Sequence, residues 1–195
     1  MINTEIIKST IINLLKNSHR KNMDKLIEYL ISSDYFTAPA STKYHSNIPS
    51  SLAMHSLNVR NLIAEKNERF NLGIPEETVN IAGLLHDFCK IDFYTTGKRW
   101  LKDSNGTWKS YDTYLCKDNF PIGHGEKSVI MIQKYIELTD VEIMMIRWHM
   151  GTSEEFCNIR SYFNAASKYP QIVIMQTSDF EASQLLEEIK PFKKN

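Results

Sequence analysis

The stretch IAGLLHDFCK, residues 81–90, carries an apolar run into His86, Asp87 and Lys90. Taking such groups out of water is costly unless something inside pairs with them. They therefore sit at the surface or hold an ion. The chain has six histidines, at 19, 45, 55, 86, 124 and 149. His55 shares a helical face with Leu52, Val59 and Leu62; His86 follows Val79 and Ala82 by seven and four; His149 follows Met145 by four at a helix end. Asp179 repeats the pattern after Ile172 and Met175, and His124 opens a helix between Gly123 and Gly125.

A single histidine on an apolar face is more often a hydrogen-bonded core residue than a ligand. The set changes that balance, because imidazole with carboxylate suits a borderline first-row metal, not calcium. His55, His86, Asp87 and Asp179 could hold one ion with positions left for water; His124 and His149 could hold a second, with Asp87 bridging. Two ions about 3.5–4 Å apart can activate water and clamp the oxygens of a phosphoryl group. Lys90, one helical turn from His86, then supplies a cation for phosphate.

Helical periodicity dominates the elements that must position these groups. Apolar positions predict helices over 4–16 and 22–32. Ser50 or Ser51 caps a third, of about 17 residues, through His55. Pro75, with Glu76 and Glu77 behind it, opens a fourth that runs to His86. Further helices are expected over 124–137, 140–149, 158–168 and 170–189, with Asp140 as a cap, Gly151 as a stop and Pro170 early in the last. Between them KRWLKDSNGTWKSYDTYL reads as a β-hairpin turning at D-S-N-G. The expectation is one mostly α-helical domain over 1–195: helices and a loop over 1–50, a metal-binding core over 51–189, and a hairpin insertion over 92–120.

The 195 residues carry no formal net charge, so whole-molecule attraction to duplex nucleic acid or an anionic membrane is not indicated. Cys89, Cys116 and Cys157 form no CxxC unit, which favours a reduced, cytoplasmic chain. No segment reaches the roughly 18 apolar residues of a membrane span. The N-terminal apolar pattern is interrupted by Glu5, Lys8 and Lys16, unlike a signal peptide.

The ordered set MHSLNV, GLLHDFCK, GHGEKSV, RWHMG and SDFEAS resembles the HD-domain superfamily of metal-dependent phosphohydrolases. Its H…HD…H…H…D order is similar to the dinuclear branch. The resemblance implies an all-α helical bundle and hydrolysis of a phosphoester or phosphoanhydride bond in a nucleotide or short oligonucleotide, with metal-activated water. The metal ligands it implies are His55, His86, Asp87, His124, His149 and Asp179, holding one or two divalent ions (Mn, Fe, Ni, Co or Zn, with Mg also possible). Lys90 would steady phosphate. YHSNIPSSLAMHSLNV also looks like the HD-domain entry of certain bacterial 3′→5′ exoribonucleases, with His45 ten residues before the first ligand. No N-terminal RNA-gripping domain is evident, "IPSSLAMH" replaces the usual glycine-rich approach, and the GYP motif of cyclic-dinucleotide enzymes is lacking.

Several other residues are expected to meet substrate. Trp100, Trp108, Tyr111 and Tyr114 could stack on a base, with Lys98, Arg99, Lys102 and Lys109 at phosphates; otherwise these aromatics pack the hairpin onto the helices. GHGEKS reads either as a phosphate cradle or as glycines giving His124 room. Lys127 is a candidate phosphate contact or a solvated helix residue. Asp92 or Glu126 could protonate a leaving group. Besides an enzyme, the sequence admits a non-catalytic nucleotide-binding sensor or an exoribonuclease-like nuclease.

Overall fold

A computed structural model describes residues 3–41, 48–153 and 158–187. His45 and Cys157 lie outside the described residues. The order is α1 (Thr4–Lys16), α2 (Met23–Ser32), α3 (Ser51–Arg69), α4 (Glu76–Leu85), a 3₁₀ turn (Phe88–Lys90), β1 (Tyr94–Lys102), β2 (Trp108–Cys116), α5 (His124–Ile132), α6 (Asp140–Arg147), α7 (Ile159–Lys168), α8 (Gln171–Glu181) and a π turn (Ala182–Leu186). The fold is an all-α bundle with a two-stranded antiparallel insertion, the architecture that the resemblance implies. No helix among the described residues is long and apolar enough to cross a membrane.

The central element is α4. Every residue from Thr78 to Leu85 is buried, so this helix is enclosed on all sides rather than amphipathic. It packs on α3, α6 and α1. Gly83 sets the approach to α3: a Cβ there would lie 2.6 Å from the Arg60 Cα. Arg20 pins the far end, with Nε at 2.7 Å from Glu77 and Nη2 at 3.0 Å from Glu142. Glu142 is fully buried and also accepts from the Thr78 hydroxyl at 3.1 Å. These charges tie α4 to α6, the two helices whose C-terminal ends carry His86 and His149.

Local boundaries differ from the periodic reading where capping decides them. Thr139, not Asp140, caps α6, in a capping box with Glu142. Ser50 does not cap α3; it has φ of 66° and its hydroxyl accepts from Thr4, while Ser51 Oγ accepts from the Ala40 N–H at 2.9 Å. α4 ends at Leu85, and α5 ends at Ile132 rather than 137. The last helix widens into the π turn after Glu181. Gly151, with φ of 57°, stands four residues past the end of α6.

The hairpin pairs Tyr94 with Cys116 through Lys102 with Trp108. Asp103 closes its turn by accepting from the Asn105 and Thr107 N–H groups, and Gly106 supplies φ of 77°. Trp100 and Trp108 are 62% and 59% exposed, so they do not pack the hairpin onto the helices.

Candidate metal centre

Five helices bring six side chains together: His55, Asp87, His124, His149 and Asp179 line a cleft of about 670 Å³, and His86 lies buried behind it, against His55. His55 comes from the buried face of α3, His86 and Asp87 from the end of α4, His124 from the start of α5, His149 from just past α6, and Asp179 from α8. Except for His124 and Asp179, which are partly exposed, all are buried.

Backbone carbonyls set the tautomers of two imidazoles. His86 Nδ1 lies 2.9 Å from the Gly83 carbonyl and His149 Nδ1 2.6 Å from that of Ile146. A carbonyl only accepts, so each Nδ1 carries the proton and each Nε2 keeps its lone pair for the cleft. His149 Nε2 is buried with no hydrogen-bond partner, 3.6 Å from Asp87 Oδ1. His86 Nε2 lies 3.2 Å from His55 Nε2, 3.5 Å from Asp87 Oδ2 and 3.7 Å from Asp179 Oδ1. Lone pairs and carboxylate oxygens thus converge with too few donors between them, which is the condition a cation relieves.

The electrostatics agree. Burial holds His86 down at about 3, so it is neutral. Burial also disfavours charge on His55, but Asp179 at 2.9 Å and Glu187 at 2.7 Å outweigh it and raise His55 to about 10. His124 is likewise raised to about 10 against burial, by Cys89 and by Asp87 Oδ1 at 2.8 Å. At both His55 and His124 a proton therefore occupies a position that suits a cation. Burial would raise the Asp87 carboxyl; Lys90, His86 and His124 outweigh it and hold it well below its usual value. The same pairing raises Lys90 against its burial, with Nζ 2.7 Å from Asp87 Oδ2. Lys90 reaches Asp87 from the 3₁₀ turn, not from a continued helix.

The donor set fits a first-row divalent ion. His55, His86 and Asp179 bring ligand atoms within 4.8 Å of one another; so do His86, Asp87 and His149, and so do Asp87, Cys89 and His124. Asp87 belongs to two of the three groups.

Other expected site residues lie elsewhere. Lys127 is buried, not solvated: it is paired with Asp118, lies over the Phe93 ring and lines a neighbouring cleft of about 270 Å³. Arg99 and Trp100 project to opposite faces of β1, and neither lines the cleft of His55, Asp87 and His124. Glu126 pairs with Arg147 at 2.5 Å, and Asp92 lines the Lys127 cleft. Gly125 lets α5 meet the Arg147 carbonyl of α6, where a Cβ would collide. This close approach brings His124 to His149, with ring centroids 5.2 Å apart.

Sequence reasoning missed Glu187, Cys89, Tyr94 and Gln176. Glu187 reaches His55 only because the π turn displaces it from regular helical register, which leaves no periodic signal. Cys89 was legible as part of HDFCK but read only for its redox compartment. Tyr94 and Gln176 line the cleft from β1 and α8.

An HD-domain family model matches residues 52–173. No curated protein and no solved structure matches the chain. Members of the matched family are generally metal-dependent hydrolases. The match spans more than half the chain and contains five of the six clustered side chains, Asp179 lying just beyond it: the chain belongs to the HD-domain family.

Proposed function

We propose that the chain is a metal-dependent phosphohydrolase that cleaves a phosphoester or phosphoanhydride bond in a nucleotide-type substrate at a dinuclear centre. The observation that carries this reading is the clustering of His55, His86, Asp87, His124, His149 and Asp179 into overlapping donor groups, with all but His86 lining one open cleft. His55, His86 and Asp179 would hold one divalent ion, His124 and His149 the other, with Asp87 between them. Bound divalent ions supply Lewis acidity for phosphoryl oxygens and activate water near neutral pH.

The chain's own residues do the rest. Lys90 Nζ, fixed by Asp87, lines the cleft and offers a cation to phosphate. The Tyr94 phenol also lines it; burial pushes its pKa up to about 12, so it stays protonated and can donate to a leaving oxygen. The hairpin face that starts at Tyr94 continues through Tyr114, Lys98 and Trp100 to Trp108. Exposed rings and lysines in that order suit stacking on bases and pairing with phosphates, which favours a short single-stranded oligonucleotide over a lone phosphate ester. Arg99 would add charge from the opposite face.

The test is hydrolysis of mono-, di-, cyclic and oligonucleotides by the purified chain with Mn²⁺, Fe²⁺, Co²⁺, Ni²⁺ or Zn²⁺. Metal-dependent turnover is expected, lost with chelator and in Asp87→Asn. Binding without turnover across the whole panel would favour a sensor instead.

A further inference from the structure

We propose that Cys89 is a metal ligand, and that the half of the centre built on Asp87 and His124 is an N/O/S site for a thiophilic divalent ion such as zinc. This rests on the metal-centre reading above and specifies one of its two positions. The Cys89 Sγ lies 3.6 Å from His124 Nε2. Two ligands on one tetrahedral zinc, at about 2.3 Å for sulfur and 2.0–2.1 Å for imidazole nitrogen, stand about 3.6 Å apart. Asp87 Oδ1 lies 2.8 Å from the same nitrogen, and the three donors fall within 4.8 Å of one another. The buried, unpartnered Nε2 of His149 lies 3.6 Å from that same Asp87 oxygen, so the shared carboxylate has an open imidazole lone pair aimed at it from the adjoining donor group.

The backbone holds the sulfur there. Cys89 lies in the 3₁₀ turn directly after Asp87, and its N–H donates to Ser128 Oγ at 3.1 Å. Ser128 is one turn of α5 beyond His124, so a single helix face fixes both the imidazole and the peptide that carries the thiol. Cys89 is 3% exposed. A buried cysteine usually packs as a small apolar group, yet this one faces both ring nitrogens of a histidine, at 3.4 and 3.6 Å. On binding, the S–H bond breaks, its proton passes to water, and the sulfur lone pair forms the bond to the ion. A thiolate selects zinc, cobalt(II) or iron(II) over magnesium or manganese.

The experiment is a Co²⁺ titration of metal-free protein in a Cys116→Ser, Cys157→Ser background, followed by absorption. The expected result is visible d–d bands together with a near-ultraviolet thiolate-to-cobalt charge-transfer band, the latter lost on adding Cys89→Ser while the d–d bands remain. Zinc X-ray absorption on the two-serine background, which keeps Cys89, gives the same answer if the triple variant does not fold: a sulfur scatterer at about 2.3 Å is expected. Cobalt d–d bands without a charge-transfer band, or a zinc shell of nitrogen and oxygen alone, overturns the Cys89 assignment and leaves the metal centre standing. Absence of any cobalt or zinc binding overturns both.

Discussion

The Nε2 atoms of His55 and His86 face each other at 3.2 Å, with Asp179 Oδ1 2.9 Å from the first. His86 is neutral, so the contact survives without metal only because His55 carries a second proton. Metal binding must displace that proton, and a second from His124. Both groups titrate near 10 in the folded, metal-free chain and near 6.5 unfolded. Their protons therefore stabilise the metal-free fold fully below about pH 6.5, and that contribution is lost as pH rises through 10. Metal affinity should run the opposite way. Each displaced proton adds up to about 1.4 kcal/mol of binding per pH unit over this window. Calorimetric titration with Zn²⁺ between pH 6.5 and 9, corrected for hydroxide competition, should show affinity climbing steeply. A flat profile would mean that no imidazole proton is displaced.

Acid acts through a different histidine. The His86 pKa is depressed to about 3, so its contribution to stability is present above about pH 6.5 and lost as pH falls toward 3. In metal-free protein, His86→Gln should flatten the acid limb of the melting-temperature profile without removing the alkaline loss assigned to His55 and His124. An unchanged acid limb would show that His86 is not the buried neutral group responsible.

Asp87 is shared by two of the three donor groups. It holds Lys90 at 2.7 Å and His124 at 2.8 Å while itself only 2% exposed. Asp87→Ala strands the Lys90 cation, 15% exposed, beside a cavity. Breaking a buried pair from one side costs on the order of 3–5 kcal/mol. Asp87→Asn keeps the volume and should be milder in melts, yet abolish metal binding and turnover alike. Wild-type rates in Asp87→Asn, with metal bound normally, would remove this residue from the centre.

Four of the six ligand candidates were legible because helical offsets place His55, His86, His149 and Asp179 in apolar rows whose other members are buried, with only Leu62 half-buried. Their partners were not. Thr139 outcompeted Asp140 as a cap because its hydroxyl and the Glu142 carboxylate satisfy each other's backbone N–H groups, and Glu142 is held in turn by Arg20 from far along the chain. Arg99 and Trp100 are adjacent in sequence, and strand alternation sends them to opposite faces of the hairpin, a separation that composition alone does not report. Such contacts depend on tertiary placement, which period and composition do not encode.

Glu187 orients His55. It accepts from His55 Nδ1 at 2.7 Å and is 7% exposed. A carboxylate there fixes the ring and makes Nε2 a better donor to metal, and losing such a partner typically costs about 10–100-fold in affinity. Glu187→Gln keeps an acceptor oxygen but no charge. It should weaken metal binding within that range, lower the His55 pKa by NMR titration, and leave the overall fold intact. An unaltered His55 titration would show that the contact is structural only.

The hairpin reading makes a separable claim. Trp100 is exposed on the face that leads to Tyr94 in the cleft. Stacking of a base on an aromatic is worth about 1–3 kcal/mol. Trp100→Ala should therefore raise KM for a single-stranded oligonucleotide by roughly 5- to 150-fold and leave hydrolysis of a mononucleotide unchanged. Equal effects on both substrates would mean that the hairpin acts on the centre, not on the strand.

Gly83 tests whether helix approach sets ligand geometry. A methyl group at this position meets Arg60 Cα at 2.6 Å, which is backbone and cannot swing aside. α3 must then move off α4, working against the Arg60 Nε to Asn80 Oδ1 bond at 2.8 Å. Overpacking of this kind costs about 1–3 kcal/mol. His55 moves with α3, while His86 stays with α4 and with the Gly83 carbonyl that orients it. Gly83→Ala should thus weaken metal binding by more than Ala53→Gly, a change on the buried face of α3 that removes a methyl group and forces no separation of the two helices. If both variants lose stability but bind metal equally well, the spacing of α3 and α4 does not set the distance between the two imidazoles.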